Sequence, residues 1–147
     1  MLYKISRADA SDYPELIHVW EASVRATHEF LKESDIQHFK PLILDKYFDM
    51  VDLWCVRNTD GIMGFIGIAE QSIEMLFIHP DYRGMHIGQE LTDFAITEYN
   101  AKHVEVNEDN PQAIGFYEKL GFVTTGRTDL DHSGKPYPLI QMELKRD

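Results

Sequence analysis

The segment Glu74–Leu91, E-M-L-F-I-H-P-D-Y-R-G-M-H-I-G-Q-E-L, restricts the fold more than any other stretch of the chain. It opens on Met75, Leu76, Phe77 and Ile78, an unbroken apolar run of the kind found in strands buried on both faces. Pro80 has no N–H to donate and ends any ladder there. Arg83, Gly84 and Gly88 belong to a short basic turn, after which apolar residues recur at helical spacing: Ile87, Leu91, Phe94, Ala95 and Tyr99. A strand that leads through such a loop into a helix aims several unpaired backbone N–H groups at one point. That arrangement holds anions, phosphates above all. The segment contains neither G-x-x-x-x-G-K-[ST] nor G-x-G-x-x-G, so it is neither a P-loop nor a dinucleotide fingerprint. At this point an ordinary strand–loop–helix connection stands as the alternative.

The rest of the chain reads as alternating strands and helices. Leu2 to Ser6 alternates like a strand. Asp9, Ser11 and Asp12 offer helix N-caps, Pro14 suits a first turn, and Tyr13, Leu16, Ile17, Trp20 and Val24 form a helical stripe. A second helical segment, 34–47, contains Pro41 and should break or kink there. Strands are expected at 52–57 and 62–69, joined by the hairpin turn N-T-D-G. Beyond the opening segment come a strand at 101–106 and a helix that starts at Asn110-Pro111 with the stripe Ile114, Tyr117 and Leu120. Gly121 ends this helix, and two last strands, 122–127 and 137–144, flank the turn D-H-S-G-K. The order β-α-α-β-β-β-α-β-α-β-β predicts an α+β fold: a mixed, mostly antiparallel sheet with helices on both faces. With 147 residues the expectation is a single domain spanning 1–147.

Composition excludes several functions. A formal net charge of −11 leaves no basic face with which to neutralise nucleic-acid phosphates, so no nucleic-acid partner is expected. A phosphate-rich ligand must then be held locally, while the overall field favours a cationic second ligand such as an amine. No apolar run reaches membrane-spanning length and no signal-peptide core follows Met1, so a cytoplasmic protein without membrane attachment is expected. Cys55 is the only cysteine and lies in the apolar run L-W-C-V, which suits a buried small side chain. The histidines show no metal-ligand spacing, so no metal is expected.

Two motifs together resemble the GNAT family, the Gcn5-related N-acetyltransferases. The loop resembles the family's acyl-CoA signature [QR]-x-x-G-x-[GA], matched by Arg83 and Gly88, with His86 where the middle glycine usually stands. If position 86 requires a positive φ, histidine is strained there. The segment N-x-x-A-x-x-F-Y-x-K-x-G-F is matched by Asn110, Ala113, Phe116, Tyr117, Lys119, Gly121 and Phe122. The element order is also that of the family, so the resemblance covers nearly the full chain. Two further stretches, Ala26–Leu31 and Gly126–Leu139, resemble the YjaB-like bacterial acetyltransferase subgroup.

The resemblance implies direct acetyl transfer from acetyl-CoA to a primary amine, on a small molecule or a protein, without a metal. Acetyl-CoA would be held by Leu76, Phe77 and Ile78, by the loop from Arg83 through Gly84, Met85, His86, Ile87 and Gly88 to Gln89, and by Asn110, Phe116 and Tyr117. Strand N–H groups near Phe77 would polarise the thioester carbonyl. Tyr117 would act as general acid toward the CoA sulfur, with a core aromatic as its alternative. Glu74 is the expected general base and Glu70 its reserve, each with a solvated strand-end carboxylate as the alternative. His28 is a candidate for contacting the acceptor or serving as base, or a half-buried hydrogen-bonded histidine. Arg127 and Asp129 are further acceptor-side candidates, or a structural ion pair. Dimers are common in the family, which leaves a homodimer open. A catalytically silent acyl-CoA-binding or regulatory module is the second reading of the same residues.

Overall fold

Seven strands pair into one sheet in the order β1-β2-β3-β4-β5-β7-β6 in the computed structural model, which describes residues 2–145. The strands are β1 Ile5–Arg7, β2 Asp52–Asn58, β3 Gly61–Ala69, β4 Ser72–Ile78, β5 His103–Asn107, β6 Phe122–Thr128 and β7 Leu139–Leu144. The helices are α1 Tyr13–Thr27, α2 Glu33–Leu42, α3 Ile87–Tyr99 and α4 Pro111–Lys119. Every strand pair is antiparallel except β4–β5. The element order and the mixed, mostly antiparallel sheet are those expected from the sequence.

One apolar cluster, with Leu16, Trp20, Val24, Ile36 and Phe48, lies between the sheet and α1–α2. The other, with Ile66, Ile87, Leu91, Tyr117 and Phe122, lies on the face covered by α3 and α4. The strand buried on both faces is β3, whose residues 62–68 are all buried. Met75, Leu76, Phe77 and Ile78 are only half-buried, which departs from the sequence expectation. The cause is that β4 and β5 are in register at only two positions, Ser72–His103 and Ile73–Val104. Beyond them the two parallel strands part, and the apolar half of β4 lines the gap.

The hairpin between β2 and β3 turns on Asn58, whose Oδ1 accepts from the N–H groups of Asp60 (2.8 Å) and Gly61 (3.1 Å). Gly61 has φ +136, and a Cβ there would also collide with the Glu15 carboxylate. Pro41 stands in the last turn of α2. The chain continues past it as a π turn at Ile43–Tyr47 and a 3-10 turn at Phe48–Met50, which seats Phe48 in the core. β1 is shorter than expected and starts at Ile5.

Candidate active site

At the mouth of the gap between β4 and β5, the loop after β4 delivers the N-terminus of α3. The N–H groups of residues 84–89 donate to no other described residue, and the first bond of the helix is Glu90 N–H to His86 C=O at 3.1 Å. The loop is braced from outside. The Tyr3 hydroxyl donates to the Met85 carbonyl (2.7 Å), the Leu2 N–H donates to Glu90 (2.9 Å), and Arg83 donates to Gln112 (2.8 Å). Six free amides at a helix start are a feature suited to an anion.

His86 is the residue where the sequence departs from the loop signature, and it takes the left-handed conformation, φ +64, without capping the helix through its side chain. Its imidazole is therefore carried on backbone that a glycine would adopt without strain. We expect His86→Gly to bind acetyl-CoA within a fewfold of the parent and to be at least as stable, the relief being on the order of 1 kcal/mol. Calorimetry and a thermal melt check this. A loss of affinity above tenfold would show that the imidazole itself takes part.

Across the gap stands α4. Asn110 caps it by accepting from the Ala113 N–H at 3.2 Å, and Gly121, φ +102, closes it, both as the sequence indicates. Phe116 faces Gly88: a Cβ built on that glycine would lie 3.6 Å from the ring. The Tyr117 ring is buried and wedged edge-on against Phe116 and Phe122, with centroids 5.1 and 5.4 Å away. Its hydroxyl bonds to no described residue yet is not sealed from the surface. Burial pushes the phenol well above its usual pKa, so it remains a neutral donor at physiological pH. Tyr117 is thus a core ring, the alternative named for it, and it carries a hydroxyl unpartnered among the described residues.

On the opposite face of β4 lies a cavity of about 500 Å³ between α1, α2 and the β6–β7 turn. Its apolar wall includes Trp20, Val24, Leu31, Phe39 and Ile43, and its charged or polar lining includes Glu74, His28, Asp131 and His132. Glu74 reaches it through a β-bulge. The β3–β4 register moves from Gly67–Met75 to Ile68–Ile73, so Glu74 is the extra residue and its side chain is exposed. The roof of the cavity is tied down by Asp35 of α2. Its carboxylate accepts from the Tyr137 hydroxyl and pairs with Lys135 at 2.9 Å.

The other acceptor-side candidates are not in the cavity wall. Glu70 is exposed in the β3–β4 turn with φ +54. Arg127 pairs with Glu108 and Asp129 on the exposed β6 strand, the structural alternative named for it. Sequence reasoning missed Tyr137 and took Trp20 and Val24 for plain core. The signal available was the stripe from Trp20 through Val24 to His28, which ends on a polar residue at helical spacing.

A family model described as an acetyltransferase (GNAT) domain matches residues 23–145. The chain belongs to the GNAT acetyltransferase family. It is 38% identical over 143 residues to the peptidyl-lysine N-acetyltransferase YjaB of Salmonella typhimurium, covering 97% of this chain and 98% of that protein. The solution structure of apo-form YjaB from Escherichia coli superposes with a TM-score of 0.85 at 37% identity, covering 97% of each chain. A Thermoplasma acidophilum PaiA N-acetyltransferase in complex with coenzyme A shares the fold, with a TM-score of 0.76 at 21% identity over 99% of this chain and all of that one. This GNAT protein is accordingly an enzyme, an N-acetyltransferase that moves an acetyl group from acetyl-CoA to an amine. The reading as a silent binding module finds no support among these relatives. No helix among the described residues is long and apolar enough to cross a membrane.

Proposed function

We propose that the enzyme acetylates lysine side chains of proteins. The pyrophosphate of acetyl-CoA lies on the amides of residues 84–89, and its pantetheine arm runs between β4 and α4. The observation that carries this reading is the parting of β4 from β5, with free amides and the Tyr117 hydroxyl on one side and the Glu74 cavity on the other. The apolar wall suits the methylene arm of a lysine, and the net charge of −11 draws in its ammonium. The names of the YjaB relatives point to the same acceptor.

The chemistry follows from the layout. Reaching the neutral amine at pH 7 costs a lysine about 4–5 kcal/mol, so a base beside the amine is valuable, and Glu74 takes that proton directly or through water. The amine nitrogen then attacks the thioester carbon. The new C–N bond forms, the carbonyl oxygen becomes an oxyanion, and strand N–H groups near Phe77 steady it. The C–S bond breaks as the oxyanion collapses, Tyr117 gives its proton to the leaving thiolate, and the nitrogen releases its second proton to water, from which the Tyr117 phenol is restored.

Thiol release from acetyl-CoA tests this against lysine peptides, peptides whose only amine is the N-terminus, and spermidine. Turnover with the lysine peptides and acetylation at Nζ are expected. Turnover confined to the other two classes would sink the lysine reading. For the cosubstrate site, Gly88→Val should weaken acetyl-CoA binding at least tenfold in calorimetry. A Cβ at this position meets Phe116 only at ordinary contact distance, so the fold should accept the change. A folded variant with unchanged affinity would remove the site from the loop.

A further inference from the structure

At the C-terminus of α1 a short hydrogen-bond chain runs toward the acceptor cavity. The Thr27 hydroxyl lies 2.8 Å from the Ser23 carbonyl and 2.7 Å from His28 Nδ1. A hydroxyl has one proton. The Ser23 carbonyl can only accept, so the Thr27 proton points at it, the usual i−4 arrangement of a helical threonine. The Thr27 oxygen must then receive its second contact as acceptor, which requires a proton on His28 Nδ1. Donation in the other direction would press the Thr27 lone pairs against the Ser23 oxygen at 2.8 Å. The chain therefore selects the Nδ1–H tautomer and leaves Nε2 with a bare lone pair.

That lone pair bonds to no described residue, and His28 is part of the cavity wall that also holds Glu74. The ring is steadied by Phe30, 5.2 Å between centroids, which in turn packs on Tyr137. We propose that His28 is the specificity-determining hydrogen-bond acceptor of the acceptor site, set in that role by Ser23 and Thr27, and that its Nε2 receives an N–H of the incoming lysine amine. This rests on the assignment of the cavity to the acceptor. The imidazole is not the base. Burial lowers its pKa to about 4, so it stays neutral beside Glu74, Asp131 and His132 and is far too weak to strip an alkylammonium. The His28 Nε2 and the Glu74 carboxyl, both on the cavity wall, give the amine two fixed directions. Its remaining N–H bonds thus aim the nitrogen lone pair, which a carboxylate alone does not do.

Thr27→Val tests the relay, because it keeps the shape of threonine and removes the hydroxyl. Nitrogen-15 NMR of the ring in the free enzyme should show Nδ1 protonated in the parent and the Nε2–H form gaining in the variant. Kinetics with a lysine peptide should show the acceptor KM raised fivefold or more and the acetyl-CoA KM unchanged, with Thr27→Ser rescuing the acceptor KM. His28→Leu should raise the acceptor KM about tenfold, and His28→Gln, which keeps an acceptor atom, should recover part of the loss. The proposal fails if the parent ring is protonated at Nε2, or if the tautomer shifts in Thr27→Val while the acceptor KM stays put. The NMR reading needs no acceptor. A failure of the lysine assignment would show in the peptide turnover and leave the tautomer result standing.

Discussion

Tyr117→Phe is expected to lower kcat on the order of 10²-fold while acetyl-CoA affinity changes little. The variant keeps the ring wedged between Phe116 and Phe122, so packing and fold are retained and only the hydroxyl is lost. That hydroxyl bonds to no described residue, which suits it to a sulfur that gains charge as the C–S bond breaks. Two magnitudes limit the effect. A thiolate with a pKa near 8.5 leaves without much help, and a buried phenol is a weaker acid than a free one. A much larger fall would therefore point to structural damage. Single-turnover kinetics with a good acceptor at saturating acetyl-CoA isolates the chemical step. Near-parental turnover there would make Tyr117 a core aromatic only.

Asp35→Ala is expected to cost about 3 kcal/mol of stability, since it strands the Tyr137 hydroxyl and the Lys135 ammonium that the buried carboxylate now satisfies. For a chain of this length that corresponds to a fall in Tm of roughly 6–12 °C, read in a thermal melt at pH 7. The bond from Tyr137, followed by that from Lys135, holds the Asp35 carboxyl below its usual pKa. Such a depressed group stabilises the fold above its unfolded value, near 3.9, and that contribution is lost as pH falls through the folded value. The gap between parent and variant should therefore be constant from pH 7 to about pH 5 and narrow in more acid solution. A difference below 2 °C at pH 7 would show that the roof of the cavity does not depend on this carboxylate.

The helix starts and stops were legible in the sequence because they are local: Asn110 caps, Gly121 terminates, and the stripe from Ile87 to Tyr99 faces the core. The amide loop was legible for the same reason, since proline, arginine and glycines within a few residues fix its course. The bulge at Glu74 was not, because an extra residue in a strand exists only relative to its partner. The half-burial of Met75–Ile78 escaped as well. An apolar run does not reveal whether its covering layer is protein or ligand. The cavity walls are the clearest case: Tyr137 meets Asp35 across 102 residues of chain, and no local pattern couples them.

A sheet joined at only two registered positions between β4 and β5 behaves as two rafts, β1 to β4 and β5–β7–β6, moored at one end. Whatever enters the opening touches both rafts and acts as a removable strand. Occupancy then contributes to the cohesion of the whole protein, by about 2.7 kcal/mol at a ligand concentration one hundred times Kd. The supply of activated acetyl groups would thus set how long the folded catalyst survives as well as how fast it works.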